Sequence, residues 1–353
     1  MNWRMTLTAG RLWRPLLTLP LAIGVVLALA AGAGGSTRAG TSPHAPAGDA
    51  GSAPAASANV LAGTWKLLPR APVTLLPGIV TSVWTGHEMI IHGIYFPGGK
   101  PAGATFAYRP ATNTWVKLKP GPKPKSLEAT DVAVWTGSEM LVFGLTSGAY
   151  NPVTNTWRAI PLGGPDEAAV VAWTGHEAIV WGGVCCAGSS RDGMAYNPKT
   201  NTWRTLPAAP LQPRRFSMGA WTGKELIVAG GFTKTTNGEL YFRNAAAYNP
   251  ATNTWRLLPP MPSRREGGTA LWDGKEVLFI GGHRGPGTLP ALSGMAYNPK
   301  TNHWRALPAM QFRRGGFAAV WTGRAMIVWG GYIPRQTTDR TFLDGAVFRP
   351  RTP

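Results

Sequence analysis

The sequence predicts an all-β fold, a six-bladed β-propeller whose blades each hold four short antiparallel strands. Two repeated motifs carry this prediction. An eight-residue turn segment keeps Tyr and Trp seven residues apart in five copies, which begin at Tyr108, Tyr150, Tyr196, Tyr248 and Tyr297. The triplet Trp-Thr-Gly, with Asp for Thr in one copy, occurs six times at spacings of 51, 38, 48, 51 and 49 residues. Such periods are typical of propellers and solenoids, which share a core between neighbouring repeats.

Within one repeat the pattern is strand-like throughout. In the fourth repeat, apolar residues flank a Thr-Gly turn, which predicts an antiparallel hairpin over residues 217–229. Gly230-Gly231, a variable loop and a third strand at 245–248 follow. An Asn-Pro turn, suited to a tight reversal, then leads into a fourth strand that starts at Thr254. No segment shows helical periodicity of useful length, so each repeat is interpreted as one four-stranded blade.

The two ends of the repeat region complement each other. A sixth turn segment begins at Phe348, but the chain stops before its Trp, whereas residues 63–68 match the strand that follows each turn. We therefore expect the N-terminal strand around Trp65 to be the outermost strand of the last blade. The other three strands of that blade come from residues 313–350. This arrangement leaves no free edge between the first and last blades.

These motifs resemble the kelch repeat family, and the resemblance covers residues 61–353. The resemblance rests on a repeated pattern: an apolar strand ends in Gly-Gly, a Tyr follows, and a Trp comes after six further residues. The Gly pairs are Gly182-Gly183, Gly230-Gly231, Gly281-Gly282 and Gly330-Gly331, with His92-Gly93-Ile94 and Phe143-Gly144-Leu145 in the first two blades. The resemblance implies a six-bladed kelch-type propeller of the bacterial exported type. It also implies a ligand-binding face, formed by the loops between second and third strands and the connections into each innermost strand.

The N-terminal region predicts export. Three Arg precede an apolar run over residues 16–31 that ends in small residues, as in a cleaved signal or a retained membrane anchor. Residues 32–60 are nearly all Gly, Ala, Ser, Pro and Thr, a composition that predicts a flexible linker. The domains are thus 1–31, 32–60 and the propeller at 61–353. We expect the propeller to be extracytoplasmic, either secreted, periplasmic or at the cell surface.

The chain is strongly basic. Its formal net charge is +19, which becomes +16 without residues 1–31 because that segment holds three Arg and no acidic residue. This balance favours anionic partners such as acidic glycans or cell-wall polymers. Export and the absence of a recognisable motif argue against nucleic acid. Several bases follow the repeat Trp, where we expect exposed outer strands: Lys66, Arg158, Arg204, Arg256 and Arg305.

Aligning the innermost strands on their Trp identifies a ring of variable positions at the mouth of the central channel. Seven residues before the Trp stand Pro77, Glu128, Asp166, Arg214, Arg265 and Arg314, and the next positions are Gly78, Ala129, Glu167, Arg215, Glu266 and Gly315. Converging guanidinium groups suit a carboxylate, sulfate or phosphate, because each can donate two parallel hydrogen bonds. We therefore predict an anion site at Arg214, Arg265 and Arg314, with Arg215 beside them. The alternative is that these Arg hydrogen-bond blade to blade.

Aromatic residues outside the repeat positions concentrate in the loops between second and third strands. Those predicted to bind a ligand are Tyr95, Tyr241, Tyr332 and Phe232, with Phe96, Phe242 and Phe342 in the same loops. Exposed aromatic rings on a binding face suit stacking on sugars or packing on a partner. The alternative is that they fold back as small cores within the loops.

The two cysteines are adjacent in one of these loops, at Cys185 and Cys186. Because an exported protein meets oxidising conditions, we predict a strained vicinal disulfide, with two free thiols or an intermolecular bond as alternatives. No His, Cys or carboxylate cluster predicts a metal site, and no cofactor is predicted.

Three functions remain open. The favoured one is an exported, non-enzymatic propeller that binds an anionic glycan, a cell-wall polymer or another protein as a monomer, touching membranes only through an N-terminal anchor. Resemblance to six-bladed bacterial kelch enzymes implies the second, a sialate-like sugar-acid epimerase or mutarotase. There Glu128, Asp131, Asp166 or Glu266 moves protons while Arg holds the carboxylate. The third is a purely protein-docking scaffold.

Overall fold

The structure is a computed structural model that describes residues 63–72, 75–76, 80–124, 131–144, 146–161, 164, 170–185, 188–189, 191–310, 313–334 and 340–350. The predicted export segment and linker lie outside these residues. None of the described residues forms a helix of the length and hydropathy needed to cross a membrane. One 3₁₀ turn occurs among them, at Pro97–Gly99.

Six antiparallel sheets form the blades. Blade one comprises β2 (Val80–Trp84), β3 (Met89–Tyr95), β4 (Ala102–Arg109) and β5 (Thr114–Lys117). Blade two comprises β6 (Val132–Trp135), β7 (Met140–Phe143), β8 (Gly148–Asn151) and β9 (Thr156–Arg158). Blade three comprises β10 (Val170–Trp173), β11 (Ala178–Trp181), β14 (Gly193–Asn197) and β15 (Thr202–Thr205), with a loop hairpin of β12 (Val184–Cys185) and β13 (Gly188–Ser189).

The remaining blades repeat this order. Blade four comprises β16 (Met218–Trp221), β17 (Leu226–Ala229), β20 (Ala245–Asn249) and β21 (Thr254–Leu258), with a loop hairpin of β18 (Phe232–Thr235) and β19 (Gly238–Tyr241). Blade five comprises β22 (Thr269–Trp272), β23 (Val277–Ile280), β24 (Ser293–Asn298) and β25 (His303–Ala309). Blade six comprises β26 (Gly315–Trp321), β27 (Met326–Ile333), β29 (Gly345–Pro350) and β1 (Gly63–Leu67), with β28 (Arg340–Thr341) beside β27.

The first strand of each blade is innermost, and these strands neighbour one another in the order β2, β6, β10, β16, β22, β26 and back to β2. They enclose a central channel of about 630 Å³. The loops between second and third strands lie on one side, here called the loop face. The Trp-Thr-Gly turns and the Tyr-to-Trp turns lie on the other, the turn face. The predicted six-bladed propeller is confirmed.

Blade six is closed by the N-terminal strand, as the sequence predicts. Its strand order is β1-β29-β27-β26, and β1 pairs antiparallel with β29. Trp65 lies opposite Phe348, and the two ring centroids are 4.9 Å apart. This pairing covers the backbone edge of β29 that would otherwise be exposed.

The repeated turn segment is held by its own side chains. In all five copies the Tyr hydroxyl donates to the Asn five residues later, at 2.7–2.8 Å. That Asn has a left-handed backbone, with φ of 52–58°. Asn tolerates this conformation better than other non-glycine residues, which explains its recurrence. The segment is therefore scaffold on the turn face.

The repeat Trp joins neighbouring blades. Its indole N–H donates at 2.8–3.1 Å to a backbone carbonyl just after the outermost strand of the preceding blade. The acceptors are the carbonyls of Pro69, Lys119, Pro161, Pro207 and Pro259. The same boundaries hold the apolar core; Trp181 of blade three packs in one cluster with Leu226 and Val228 of blade four.

Four bases of the outer strands are paired within their blades. Arg158, Arg204, Arg256 and Arg305 each bind a Glu that directly precedes the second strand, at 2.5–2.7 Å. The Glu partners are Glu139, Glu177, Glu225 and Glu276, and Glu88 of blade one pairs with Arg109. These five Arg therefore form local ion pairs on the turn face.

Removing residues 61–68 should destabilise the propeller, because β29 loses its partner strand and Phe348 loses the Trp65 ring. We expect a loss of at least ~3–5 kcal/mol, similar to deletion of a large buried side chain, and a melting temperature about 10 °C lower. Thermal unfolding of residues 61–353 and 69–353 measures this effect. Removal of residues 1–60 alone is the control and should leave the melt unchanged; an equal melt for both shorter chains contradicts closure by β1.

Candidate functional site at the loop face

Arg214 is fully buried just before the innermost strand of blade four. Its Nη1 donates to Gly230 O at 3.0 Å and to Asn244 Oδ1 at 2.8 Å, while Nε donates to Gln212 O at 2.8 Å. The guanidinium carbon lies 4.1 Å from the centroid of the Phe242 ring. The side chain thus ties together the two ends of the loop between second and third strands.

Arg314 repeats this arrangement in blade six. Its Nη1 donates to the carbonyls of Gly330 and Asp344, both at 3.2 Å, and lies 2.7 Å from Asp344 Oδ1. Phe342 lies under the guanidinium group, 3.9 Å from ring centroid to guanidinium carbon. The two Arg therefore organise equivalent loops.

Arg265 of blade five is 1% exposed, and its Nη2 donates to Ser293 O and Oγ at 3.2 and 3.0 Å. Its carbonyl accepts the Gly231 N–H of blade four at 2.8 Å, and the Arg214 carbonyl likewise accepts the Gly183 N–H of blade three at 3.1 Å. A Cβ at the neighbouring Gly230 would lie 2.3 Å from Arg265 O, so the Gly-Gly pair permits this close contact between blades.

Burial lowers the pKa of both Arg214 and Arg265 to about 10, so both remain charged near neutrality. Their side-chain donors point at backbone carbonyls and loop side chains of their own blades, and the contacts of Arg214 and Arg265 with neighbouring blades run through their backbone carbonyls. The anion site on Arg214, Arg265 and Arg314 stays a prediction, and these contacts direct attention to the residues beside them.

Phe216 has an unusual backbone for its residue type, with φ of 51°. The other described non-glycine residues with positive φ are the five turn Asn. In blades five and six the equivalent residues are Gly267 and Gly316, with φ of 63° and 58°. A bulky residue in this conformation costs ~1–3 kcal/mol, and such strain is concentrated at functional sites. All three residues line the central channel, so Phe216 places a ring at its mouth.

The Phe216 ring ends an aromatic stack. It lies parallel to Phe232, with centroids 5.8 Å apart and planes 5° apart, and Phe232 stacks on Tyr241 at 5.3 Å. The β18–β19 hairpin pairs Phe232 with Tyr241 and presents both to Phe216. The Arg215 guanidinium carbon lies 5.7 Å from the Phe216 centroid. Phe232 and Tyr241 are buried, whereas Phe216 is half-buried and reaches the channel.

Glu266 of blade five lies beside this stack. Its backbone exchanges hydrogen bonds with His283 at 3.0 and 2.8 Å, and the His283 ring lies 6.1 Å from that of Tyr332. Burial and, to a smaller extent, the charge of Glu239 together raise the pKa of Glu266 to about 7. Glu239 Oε2 accepts the Tyr241 hydroxyl at 2.6 Å. A carboxyl group that titrates near neutrality thus stands near the channel mouth.

These residues form one surface across blades four to six, which we call the mouth cluster. It comprises Arg215, Phe216, Phe232, Glu239, Tyr241, Glu266, His283 and Tyr332. Five of them are predicted site residues: Arg215, Phe232, Tyr241, Glu266 and Tyr332. The fold therefore brings together side chains that the sequence places up to 117 residues apart.

Tyr95 lies elsewhere. It is half-buried in blade one, where it lines a separate cavity of about 200 Å³ with Pro72, Lys117 and Leu118. Cys185 ends the short strand β12, and the predicted vicinal disulfide falls on Cys186, outside the described residues. Glu128 and Asp166, both predicted as proton carriers, lie outside them too.

Asp131 belongs to a buried polar network between blades one and two. Its carboxylate accepts the Thr146 N–H at 3.0 Å and the Thr146 hydroxyl. Thr146 Oγ1 lies 2.7 Å from His92 Nε2, and His92 Nδ1 lies 3.0 Å from Thr105 Oγ1. Burial lowers the pKa of His92 to about 4, so the ring is neutral. Because the Thr146 hydroxyl donates to Asp131, it accepts the hydrogen bond from His92 Nε2. This network occupies the two blades that lack a Gly-Gly pair.

Comparison with known proteins agrees with this architecture. The sequence profile described as the KLHDC2/KLHL20/DRC7 Kelch-repeats domain matches residues 167–352. The chain belongs to this kelch-repeat family. The solved structure of YjhT is similar, with a TM-score of 0.61 at 16% identity over 79% of this chain and 96% of that chain. At that identity the likeness shows the shared fold alone. No curated protein matches the chain significantly.

Sequence reasoning missed three residues of the mouth cluster, Glu239, His283 and Phe216, and of these only Phe216 is among the described residues that line the channel. The kelch alignment carries a signal for it, since Phe216 stands five residues before Trp221 just as Gly267 and Gly316 stand before their own Trp. A Phe where sister blades have Gly is the kind of departure that marks a candidate site. The aromatic residues predicted to bind a ligand all lie in the loops between second and third strands, whereas Phe216 lies just before an innermost strand and is therefore not among them.

Replacing Glu266 with Gln should change how kelch-domain stability depends on pH. Because the folded-state pKa of about 7 exceeds the ordinary value of 4.5, the folded state holds a proton that the unfolded state releases between these values. Wild-type stability therefore falls as the pH rises from about 4.5 to about 7, and Glu266→Gln removes this fall. We expect the variant to exceed wild type by ~1–3 kcal/mol at pH 8 and to match it near pH 4. Urea unfolding across this range measures the difference; a constant difference at every pH contradicts the assignment.

Proposed function

We propose that the protein is an exported, non-enzymatic kelch propeller that binds an acidic saccharide of a cell-surface polymer at its mouth cluster. Kelch propellers generally bind proteins or other ligands, and the N-terminal apolar segment supports action outside the cytoplasm. The observation that carries the proposal is the strained Phe216 ring at the channel mouth. Backbone strain of this kind persists only where the surrounding structure enforces it. At Phe216 the surroundings hold an aromatic ring at a position where blades five and six have Gly.

The mouth cluster supplies the groups that a saccharide needs. The half-buried Phe216 ring offers an apolar surface for the C–H face of a sugar. Arg215, beside that ring, can donate two parallel hydrogen bonds to a carboxylate or sulfate. Glu266 and the Tyr332 hydroxyl can bind sugar hydroxyls. The channel below is about 630 Å³, within the range of small-molecule sites.

The charge of the whole chain supports an anionic ligand. With a formal net charge of +19, the protein attracts polyanions and accelerates their encounter with the surface. Four outer-strand Arg are already paired with Glu on the turn face, so they add little to recognition on the loop face. In the mouth cluster, the Arg215 guanidinium group lies beside the Phe216 ring and is therefore the base proposed to contact the anionic ligand.

Phe216→Gly separates recognition from stability. Gly adopts the required backbone without steric cost, so we expect the melting temperature to be kept or slightly raised. Binding to acidic glycans should fall at least tenfold because the stacking surface is lost. A glycan array followed by calorimetric titration of the best acidic oligosaccharide measures this.

Phe96→Gly is the matched control. Like Phe216, Phe96 is an aromatic residue of the loop face, but it is exposed and lies in blade one. It should retain wild-type affinity. Equal affinity of Phe216→Gly and wild type, or equal loss in both variants, contradicts the proposed site. A wild-type protein that binds no acidic glycan but captures a protein through these residues supports the docking-scaffold alternative instead.

Glu266 favours a second candidate function, a sugar-acid isomerase or mutarotase. A carboxyl group with a pKa of about 7 suits general acid–base catalysis near neutrality. It stands in the same cluster as Arg215, which would hold the substrate carboxylate. NMR exchange between the anomers of an acidic monosaccharide tests this candidate. Faster exchange that disappears in Glu266→Gln supports it, and binding without faster exchange argues for the binding module.

A further inference from the structure

The turn face has a distinct site at the boundary between blades six and one. In blades two to five, the Arg after the repeat Trp binds the Glu that precedes the second strand. In blades two to four this Arg also reaches across the blade boundary. Arg158 Nη1 donates to the Tyr196 hydroxyl of blade three at 3.2 Å. The guanidinium groups of Arg204 and Arg256 likewise interact with the Tyr hydroxyls of the following blades, Tyr248 and Tyr297. The Arg that reaches the following blade is thus held by a Glu carboxylate of its own blade.

Blade six has no such Glu. Met326 pairs with Phe348 just as Leu226 pairs with Tyr248 in blade four, so Ala325 occupies the position of Glu225. The bases are kept, however. Lys66 directly follows Trp65, so it occupies the position that the Glu-bound Arg has in blades two to five. Arg349 directly follows Phe348 and is therefore equivalent to Arg109 of blade one, which follows Tyr108.

A cavity of about 400 Å³ lies where this carboxylate is missing. Lys66, Arg324 and Arg349 line its rim, and all three are exposed. No Asp or Glu is among the described residues that line it. The cavity is therefore a pocket of positive charge on a ring whose other boundaries contain an acid.

The cavity walls suit an acidic side chain. Leu68 and Ile327 form an apolar floor that can contact methylene groups. Tyr108 forms one wall, and its hydroxyl donates to Asn113 at 2.8 Å. Burial raises the pKa of Tyr108, and the positive charge of Arg349 partly opposes this rise. The Arg349 guanidinium group therefore lies near enough to the Tyr108 hydroxyl to interact with it electrostatically. The opening is bordered by Leu67, which is 71% exposed.

We propose that this cavity binds a Glu or Asp side chain of a partner protein, which supplies the carboxylate that Ala325 lacks. The five internal Glu show which chemical group the turn face binds at this position, at 2.5–2.9 Å from an Arg. Charge complementarity selects an acidic segment, and the apolar floor with the exposed Leu67 adds contact area. This site lies on the face opposite the mouth cluster and is independent of the saccharide proposal.

The experiment uses an N-acetylated, C-amidated hexaglutamate peptide, with hexaglutamine as its neutral counterpart, titrated into the full chain by isothermal titration calorimetry. Wild type should bind hexaglutamate at least tenfold more tightly than hexaglutamine. Ala325→Glu restores the internal carboxylate, so it should bind hexaglutamate at least tenfold more weakly than wild type while melting at the same or a higher temperature. Arg349→Gln, at an exposed position, should weaken binding similarly even if Ala325→Glu folds poorly.

Lys234→Gln is the matched control for net charge, because Lys234 is an exposed base on the loop face. It makes the same charge change as Arg349→Gln and should keep wild-type affinity. Equal weakening by Lys234→Gln and Arg349→Gln overturns the proposal, since it shows attraction to net charge alone. Undiminished binding by a folded Ala325→Glu protein, or equal affinity of wild type for both peptides, overturns it too.

Discussion

Each blade buries its apolar surface only against its neighbours, and the rest of the structure depends on this sharing. Trp181 of blade three packs with Leu226 of blade four, and Phe317 of blade six packs with Leu278 of blade five. The repeat Trp donates its indole N–H across the same boundaries. No blade has a complete core alone, so the ring must close, and β1 must return to blade six. Closure in turn fixes the innermost strands whose ends surround the channel mouth.

The fold could be predicted because the residues that build it recur. Five Tyr-to-Trp turns and six Trp-Thr-Gly triplets set the blade length, and the incomplete turn at Phe348 indicates the partner strand at Trp65. Local chemistry explains each recurrence, as with the turn Asn that accepts the Tyr hydroxyl in a left-handed backbone. The residues that recur in every blade are therefore the ones that build the scaffold.

The candidate site was only partly predictable, because its properties arise between blades. The alignment of innermost strands places Arg214 at the channel mouth, but its partners come from a loop about 30 residues later. There Asn244 accepts a hydrogen bond from the guanidinium group and the Phe242 ring packs against it. The pKa of Glu266 depends on burial and on Glu239 of another blade. Neither is visible in the spacing of the motifs. In both proposals the informative residues are departures from the repeat, Phe216 in place of Gly and Ala325 in place of Glu.

We propose that function lies where one blade departs from its sister blades, foremost at Phe216. Amide hydrogen exchange with and without a bound acidic oligosaccharide tests it most directly. The Arg215 and Gly267 amides donate within the mouth cluster, so ligand should slow their exchange together with that of the β18–β19 hairpin. Protection confined to residues 214–217, 230–243 and 265–268 is the predicted result. Protection centred on the Tyr-to-Trp turns, with none at these segments, would contradict the account.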